Sequence, residues 1–529
     1  MELAVPAQVK MNHLNVKDKK MYIGMNYVNG EFLPNRPDFS VSSPATGEHL
    51  GEYPLSSSGE VSDAVSVAKQ AFKSWKHVSR VNRADLFDKL AQLVKRDAES
   101  LAEVISHETG KNRNESYAEV IESLHMCQYV AGSGRLPYGD VVSSELSSKL
   151  ARVFRKPKGV VAVISPWNFP LAIGSFWSAA PAIAEGNCVV HKPSELTPMT
   201  AQKVAQLYNE AGFPDGVYNL IHGAEETGKN LVSHHDVSCI LFTGSAEVGQ
   251  EIRKHCATTW HKTCSCEMGS KSATMVFEDG NFDLAIEVSV ASAFKLSGQR
   301  CVSSGRILIQ RSIYDKFCSA FVEAASQLST GDVFSDEDVY YGPLISSDAL
   351  KKVESYNSQV RSASESSEDD RDVKVLLGDQ STRLASEGNF LLPFVYQAEW
   401  WNHVDGLGCK ACTRTYLKEE VFGPHVALVP FDDLNDAIKI YNDTPYGLAL
   451  GAVTDDFRKH RILEEECNTG MLYINGGSIA AESHLPFGGI GKSGNGWKSA
   501  AGTYQAVTEE ISVTTNYEKE VEWAQGMKS

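Results

Sequence analysis

Long unbroken apolar runs are scarce in this 529-residue chain. The stretch that comes nearest to membrane length without a charged side chain, residues 159–184, is interrupted by Pro166, Pro170 and Pro181. It therefore reads as a buried strand, a loop and a helix rather than a bilayer span. Residues 1–20 hold no apolar core of signal-peptide length, and they read as a mobile arm. Positive charge is also in deficit. Fifty Lys and Arg against 67 Asp and Glu give a formal charge of −17, which disfavours nucleic acid and anionic membrane as partners, because their phosphates would be repelled. A small anionic cofactor held by a local cation and backbone amides stays compatible with that balance. The eleven cysteines are scattered rather than clustered at framework spacing, so no disulfide scaffold is expected and a reducing compartment, the cytoplasm, is. Cys264/Cys266 and Cys409/Cys412 lack a second Cys/His pair at zinc spacing, and no metal site is expected. There is no internal repeat and no coiled coil.

What is present is an alternation of apolar patterns. Short strands separated by turn residues occupy 21–53, and helical stripes follow over 59–99 and on to about Gly132, with Ala64, Val67, Ala68, Ala71, Phe72 and Trp75 on one face. From Val153 strands and helices alternate: strands at 159–164, 187–191, 217–220 and 238–242, helices at 200–208 and 248–255. Repeated strand–helix–strand units imply a parallel sheet of Rossmann type. A second α/β run extends from Ser272 to about Asn475, interrupted by a Ser- and acid-rich stretch, 361–371, expected to be a solvated loop.

The stretch 297–304, Ser-Gly-Gln-Arg-Cys-Val-Ser-Ser, lies between a helical pattern over 282–296 and a strand pattern over 305–309. Gly298 is placed to stop the helix. A thiol at such a junction can be both rigidly held and reachable, as a nucleophile must be, although a lone cysteine is more often a small core hydrophobe. Further motifs lie around it: Pro166-Trp167-Asn168-Phe169-Pro170, Lys192-Pro193-Ser194-Glu195, Phe242-Thr243-Gly244-Ser245, Glu267-Met268-Gly269-Ser270-Lys271, Glu420-Val421-Phe422-Gly423-Pro424 and Leu485-Pro486-Phe487-Gly488-Gly489. Two other glycine patterns are set aside. The G-x-G-x-x-G at 489–494 is not followed by a βαβ unit, and 223–230 ends in Asn230 where a phosphate loop needs a hydroxyl.

With these seven motifs in order, the chain from about Tyr27 to Thr515 resembles the aldehyde dehydrogenase superfamily, with some likeness to its benzaldehyde and vanillin dehydrogenase branch. The resemblance implies an α/β fold with a Rossmann-type cofactor domain (21–136 and 159–266), an α/β catalytic domain (267–484) and a small β oligomerisation arm with its tail (137–158 and 485–529). A homodimer or dimer of dimers is implied with it. It also implies NAD-dependent oxidation of an aldehyde to the acid, with Cys301 as nucleophile, Glu267 as the base that activates water, and Asn168 as an oxyanion donor beside the Cys301 N–H. Ser165, Trp167, Lys192, Ser194, Glu195, Gly244, Ser245, Gly249, Glu420 and Phe422 are the implied cofactor residues. Independently of the resemblance, Gly244 and Ser245 follow a strand and open a helix, where free amides favour an anion. Glu195 would repel the 2′-phosphate of NADP, which favours NAD, but it can turn away or be offset by Lys192. Ser270 stands where the family's second glycine is usual.

Phe176 and Trp177 are the expected apolar lining for the substrate, an apolar or aromatic aldehyde, though core packing explains both equally. No arginine lies between Arg155 and Arg253 to clamp a carboxylate from this helix. A semialdehyde stays open, because Lys295, Arg300 or the Gly477-Ser478 turn could contact an anion. Two rivals, a coenzyme A-acylating relative and a non-catalytic protein of the same fold, are disfavoured by the presence of Glu267 and by the intact Cys301, Glu267 and Asn168 set.

Overall fold

The computed structural model describes residues 22–34, 36–334, 339–366, 373–380, 382–384, 388–400, 414–520 and 522–523. The expected arm at 1–20 and the Cys409/Cys412 pair lie outside these residues. Seven strands form the first sheet: β1 (Asn26–Val28), β2 (Glu31–Leu33), β3 (Val160–Ile164), β4 (Cys188–Lys192), β5 (Tyr218–Leu220), β6 (Val237–Thr243) and β7 (Thr263–Glu267). Their order is β7-β6-β3-β4-β5-β1-β2. The five strands from β7 to β5 run parallel, and β1 and β2 close the edge antiparallel. Val160, Val161, Ala162 and Val163 are buried on both faces of β3, which is why this strand reads as a continuous apolar run rather than an alternation. The chain builds outward from β3 through β4 to β5, then returns to β3's other side with β6. This makes β3/β6 the topological switch point, where open α/β sheets bind ligands at the strands' carboxyl ends.

Residues 268–272 carry the chain directly from β7 into a second sheet. Its strands are β8 (Ala273–Val276), β9 (Arg306–Gln310), β10 (Val373–Leu377), β11 (Phe394–Ala398), β12 (His425–Phe431), β13 (Ala449–Val453) and β14 (Met471–Ile474). The order is β10-β11-β12-β9-β8-β13-β14, parallel except for β10. Because β9 and β12 are parallel neighbours, the loops that enter them, 301–305 and 420–424, lie side by side. The carboxyl ends of the first sheet and the amino ends of the second therefore face a common crevice. A separate antiparallel sheet pairs Lys149–Pro157 with Gly139–Val142 on one side and Thr508–Asn516 on the other.

Three local departures from the sequence reading have physical causes. The helix Phe282–Phe294 ends two residues early, and Leu296, Ser297 and Gly298 all take left-handed backbone angles, φ 53°, 55° and 69°. Such strain persists at non-glycine residues only where the surroundings hold it. Here the Leu296 N–H donates to Glu115 Oε1 at 3.0 Å, and Ser297 Oγ donates to the Gly342 carbonyl at 2.7 Å. Residues Ala172–Ala179 form a π-helix, a rare form that is frequent at functional sites. The expected loop at 361–371 is helical as far as Glu365: Ser347–Glu365 is one helix anchored by buried Leu350, Val353 and Val360, and its polar end propagates from that nucleus. Among the described residues no helix is long and apolar enough to cross a membrane.

Candidate active site

The crevice holds a cavity of about 290 Å³. Trp167 and Asn168 reach it from the loop after β3, Gly244 and Ser245 from the loop after β6, Cys301 from the loop before β9, and Glu420 and Phe422 from the loop before β12. Seven of the residues expected at the site thus line one space. Cys301 is half-buried, so its sulfur is held and still reachable. Burial first, then the Glu420 and Glu267 carboxylates, push its thiol up to about 12. Desolvation and neighbouring anions both disfavour a thiolate.

Asn168 is buried and donates from Nδ2 to the Gln299 carbonyl at 2.9 Å, which ties its loop to that of Cys301. An amide carries two N–H donors, so one is left for another acceptor. Glu267 ends β7 and is buried. Its Oε2 accepts the Gly489 N–H at 3.1 Å, and its Oε1 has no partner among the described residues. Burial raises its pKa well above the usual carboxylate range, against the opposing pull of the Gly489 N–H and Lys498. The carboxylate faces the 488–489 turn rather than the cavity. A Cβ on Gly488, which takes φ +153°, would stand 2.1 Å from Oε1. The glycine pattern at 489–494, set aside above as a phosphate loop, therefore closes against Glu267.

Beside the loop after β6, Ser245 caps the 12-residue helix Ala246–Ala257, accepting the Val248 N–H at 3.3 Å. A Cβ at Gly244 would meet the Phe242 ring at 2.6 Å, and one at Gly269 would meet Glu420 Oε2 at 2.2 Å. Gly249, on the first turn of that helix, faces the Met268 sulfur. Glu420 is half-buried and accepts the Ser270 N–H at 2.8 Å, and desolvation lifts its pKa to about 7. The Phe422 ring stands edge-on to Trp167, centroids 5.6 Å apart, on a residue with left-handed φ of 63°. Lys192 is buried, donating to the Pro193 and Gly223 carbonyls at 2.8 and 2.9 Å and lying 3.7 Å from Glu195, whose side chain is half exposed. A capped helix start, a buried lysine, an accessible carboxylate and a glycine-relieved acceptor match the donors and acceptors of a dinucleotide's phosphates and riboses.

Other expected residues lie elsewhere. The Ser165 hydroxyl is engaged with His191 Nε2 at 2.8 Å inside the sheet, and Ser194 Oγ accepts the Leu196 N–H in a local turn. Phe176 and Trp177 are packed in the core, Trp177 against Phe487 with centroids 4.9 Å apart, and neither lines the cavity. Ser478 is buried, donating to the Val302 carbonyl at 2.6 Å.

Several contributors escaped the sequence reading. Lys111 pairs with Glu119, both side chains fully buried, and Glu119 also accepts the Leu171 and Ala172 N–H groups at 2.8 and 3.0 Å, fixing the chain just beyond Asn168. Arg300 pairs with Glu115 at 3.1 Å, while its Nε is buried without a partner among the described residues. No local spacing flags the first pair, because Lys111 lies before the helix Arg113–Ser133 that carries Glu119.

A sequence profile described as the aldehyde dehydrogenase family matches residues 32–513. The chain belongs to the aldehyde dehydrogenase family. Among the family's curated members it is 34% identical to the mitochondrial succinate-semialdehyde dehydrogenase of Arabidopsis thaliana, over 92% of this chain and 89% of that one. It is also 34% identical to the 2-aminomuconic semialdehyde dehydrogenase of Bos taurus, over 93% and 98%. The fold matches the Staphylococcus aureus betaine aldehyde dehydrogenase, solved in complex with NAD+, with a TM-score of 0.86 and 28% identity over 97% of this chain and 98% of that one.

Proposed function

We propose that this aldehyde dehydrogenase carries out R–CHO + NAD⁺ + H₂O → R–COO⁻ + NADH + 2H⁺, with Cys301, Glu267 and Asn168 as its catalytic residues. The observation that carries the reading is the convergence of Cys301, Asn168, Glu420, Phe422, Gly244 and Ser245 on one cavity. The dinucleotide, when bound, supplies the hydride acceptor and a positive ring charge. Ser245 and the free amides of its helix would receive the pyrophosphate, Lys192 and Glu195 the adenosine ribose, and Glu420 the second ribose. The exposed Glu195 carboxylate disfavours a 2′-phosphate, so NAD is the preferred form.

Cys301 adds as thiolate to the aldehyde carbon, and the Asn168 amide with the Cys301 N–H takes the charge that gathers on oxygen. Hydride departs from the resulting thiohemiacetal, leaving a thioester on Cys301. Glu267, whose raised pKa makes it the stronger proton acceptor, must swing from the 488–489 turn towards the thioester to draw a proton from water, which cleaves the thioester to acid and free thiol. The thiol is neutral in the free protein at pH 7, so a cation placed beside it favours the nucleophilic form.

For the substrate we favour a semialdehyde, an aldehyde that also bears a carboxylate, over an apolar aromatic one. The two curated relatives named above are semialdehyde dehydrogenases, and the two aromatics that favoured an aromatic substrate are core residues. Arg300, adjoining the nucleophile with an unpartnered Nε, is the candidate carboxylate contact, whereas the Lys295 ammonium is stacked on the Tyr340 ring at 4.0 Å. A panel of dicarboxylic semialdehydes, benzaldehydes and short aliphatic aldehydes, read at NADH absorbance with NAD and NADP in parallel, tests this. Arg300→Met is expected to lower kcat/KM for semialdehydes selectively, and an equal loss for every aldehyde contradicts the contact. We also assign the domain division expected from the sequence, with the sheet of 139–157 and 508–516 pairing two copies.

A further inference from the structure

The carbonyls of the nucleophile loop are held by side chains. Ser270 Oγ donates to the Cys301 carbonyl, and no backbone N–H among the described residues donates to that oxygen. A serine hydroxyl has a single proton, so the Ser272 hydroxyl, 2.8 Å from Ser270 Oγ, is the donor in that contact, with the Ser272 N–H at 3.2 Å beside it. A second relay ends one residue further on. Ser478 Oγ donates to the Val302 carbonyl, Ser304 Oγ lies 2.8 Å behind it, and Thr274 Oγ1 lies 2.8 Å behind that. Consecutive carbonyls at 301 and 302 are thus each terminated by a chain of hydroxyls whose donors polarise one another.

Ser270 differs from the rest of this lattice because it also touches the cofactor end. Its N–H donates to Glu420 Oε1 at 2.8 Å. We propose that Ser270 is a positioning residue for catalysis: its hydroxyl fixes the 301–302 peptide and with it the direction of the Cys301 side chain, while its N–H sets Glu420 in register with that side chain. A glycine at 270 keeps the N–H contact and loses the hydroxyl, so the nucleophile's half of the register depends on the residue by which this chain departs from the usual motif. The inference rests on the reading of Cys301 as nucleophile.

The test uses the full-length protein with Ser270→Gly, Ser270→Ala and the hydroxyl-retaining Ser270→Thr. Four quantities are read: kcat and KM for an aldehyde that the wild type turns over, NAD+ affinity by protein fluorescence, and the rate constant for alkylation of Cys301 by iodoacetamide between pH 6 and 10, followed by peptide mass. Misplacing a reacting group by about 1 Å can cost about 10²-fold. The expected result is a loss of about ten-fold or more in kcat for Gly and Ala with KM and NAD+ affinity within about two-fold, a matching fall in the Cys301 alkylation rate, and recovery of both in Ser270→Thr. A kcat and an alkylation rate unchanged in Ser270→Gly overturn the proposal, as does equal loss in the Thr variant. Failure of the underlying reading looks different: wild type and Cys301→Ala would then oxidise aldehyde equally well.

Discussion

Replacing Glu267 by glutamine separates two effects of one buried carboxylate. Glutamine keeps the shape and can still accept the Gly489 N–H that Oε2 now receives at 3.1 Å, but it cannot take a proton from water. Loss of a general base costs about 10²–10⁴ in rate. If Glu267 acts only on the thioester, the whole loss falls on steady-state turnover, and a rapid burst of NADH equal to the enzyme concentration remains. The stability effect has the opposite sign. Burial raises the Glu267 pKa, so the stability linked to its protonation is fully present below about pH 4.5 and is lost as pH rises through the raised value, at about 1.4 kcal/mol for each unit of elevation. Glutamine has no such loss. With Oε1 buried and unpartnered, an advantage of about 1–3 kcal/mol is expected for the variant at pH 8, shrinking towards zero at pH 4. Stopped-flow NADH absorbance and urea unfolding at the two pH values measure both. A variant that turns over like wild type, or one whose stability difference does not change with pH, refutes the reasoning.

Other consequences are as definite. Asn168→Ala is expected to lower kcat by about 10²–10³ with little change in NAD+ affinity, and a loss confined to KM would remove it from the oxyanion site. Lys111→Met leaves the fully buried Glu119 without its cation and is expected to cost about 3–5 kcal/mol in urea unfolding. Lys111→Met combined with Glu119→Gln should restore most of that, since the amide oxygen can still accept the Leu171 and Ala172 N–H groups. Glu195→Gln is expected to raise kcat/KM with NADP relative to NAD, and an unchanged ratio shows that the exposed carboxylate does not read the 2′ position.

Much of this architecture is legible in the sequence because parallel strands buried on both faces are written as solid apolar runs. Those at 160–164, 188–192 and 237–243 are found within a residue or two of where the patterns place them. Cys301 is legible for a related reason, since a glycine between a helical and a strand pattern marks a loop at a sheet edge. Phe176 and Trp177 show the limit. Apolar spacing says that a residue is buried, not whether it borders a cavity or a core, and the π-helix that carries them leaves no periodic trace in ten residues. The helix to Glu365 was hidden because a serine- and acid-rich end resembles a loop when the buried nucleus that propagates it, 350–360, is counted separately. Ser270 could be seen only as a departure from a motif. Its meaning depends on two segments 31 residues apart in sequence meeting at one carbonyl, and no local pattern records that contact.

The central claim is that a single sulfur carries the acyl group between oxidation and hydrolysis. Glu267→Gln mixed with NAD+ and one equivalent of aldehyde, quenched in acid within the burst and digested, shows directly where that group resides. The account predicts an acyl mass on the Cys301 peptide in step with the NADH formed. NADH released with Cys301 unmodified, or an acyl group on another residue, contradicts it.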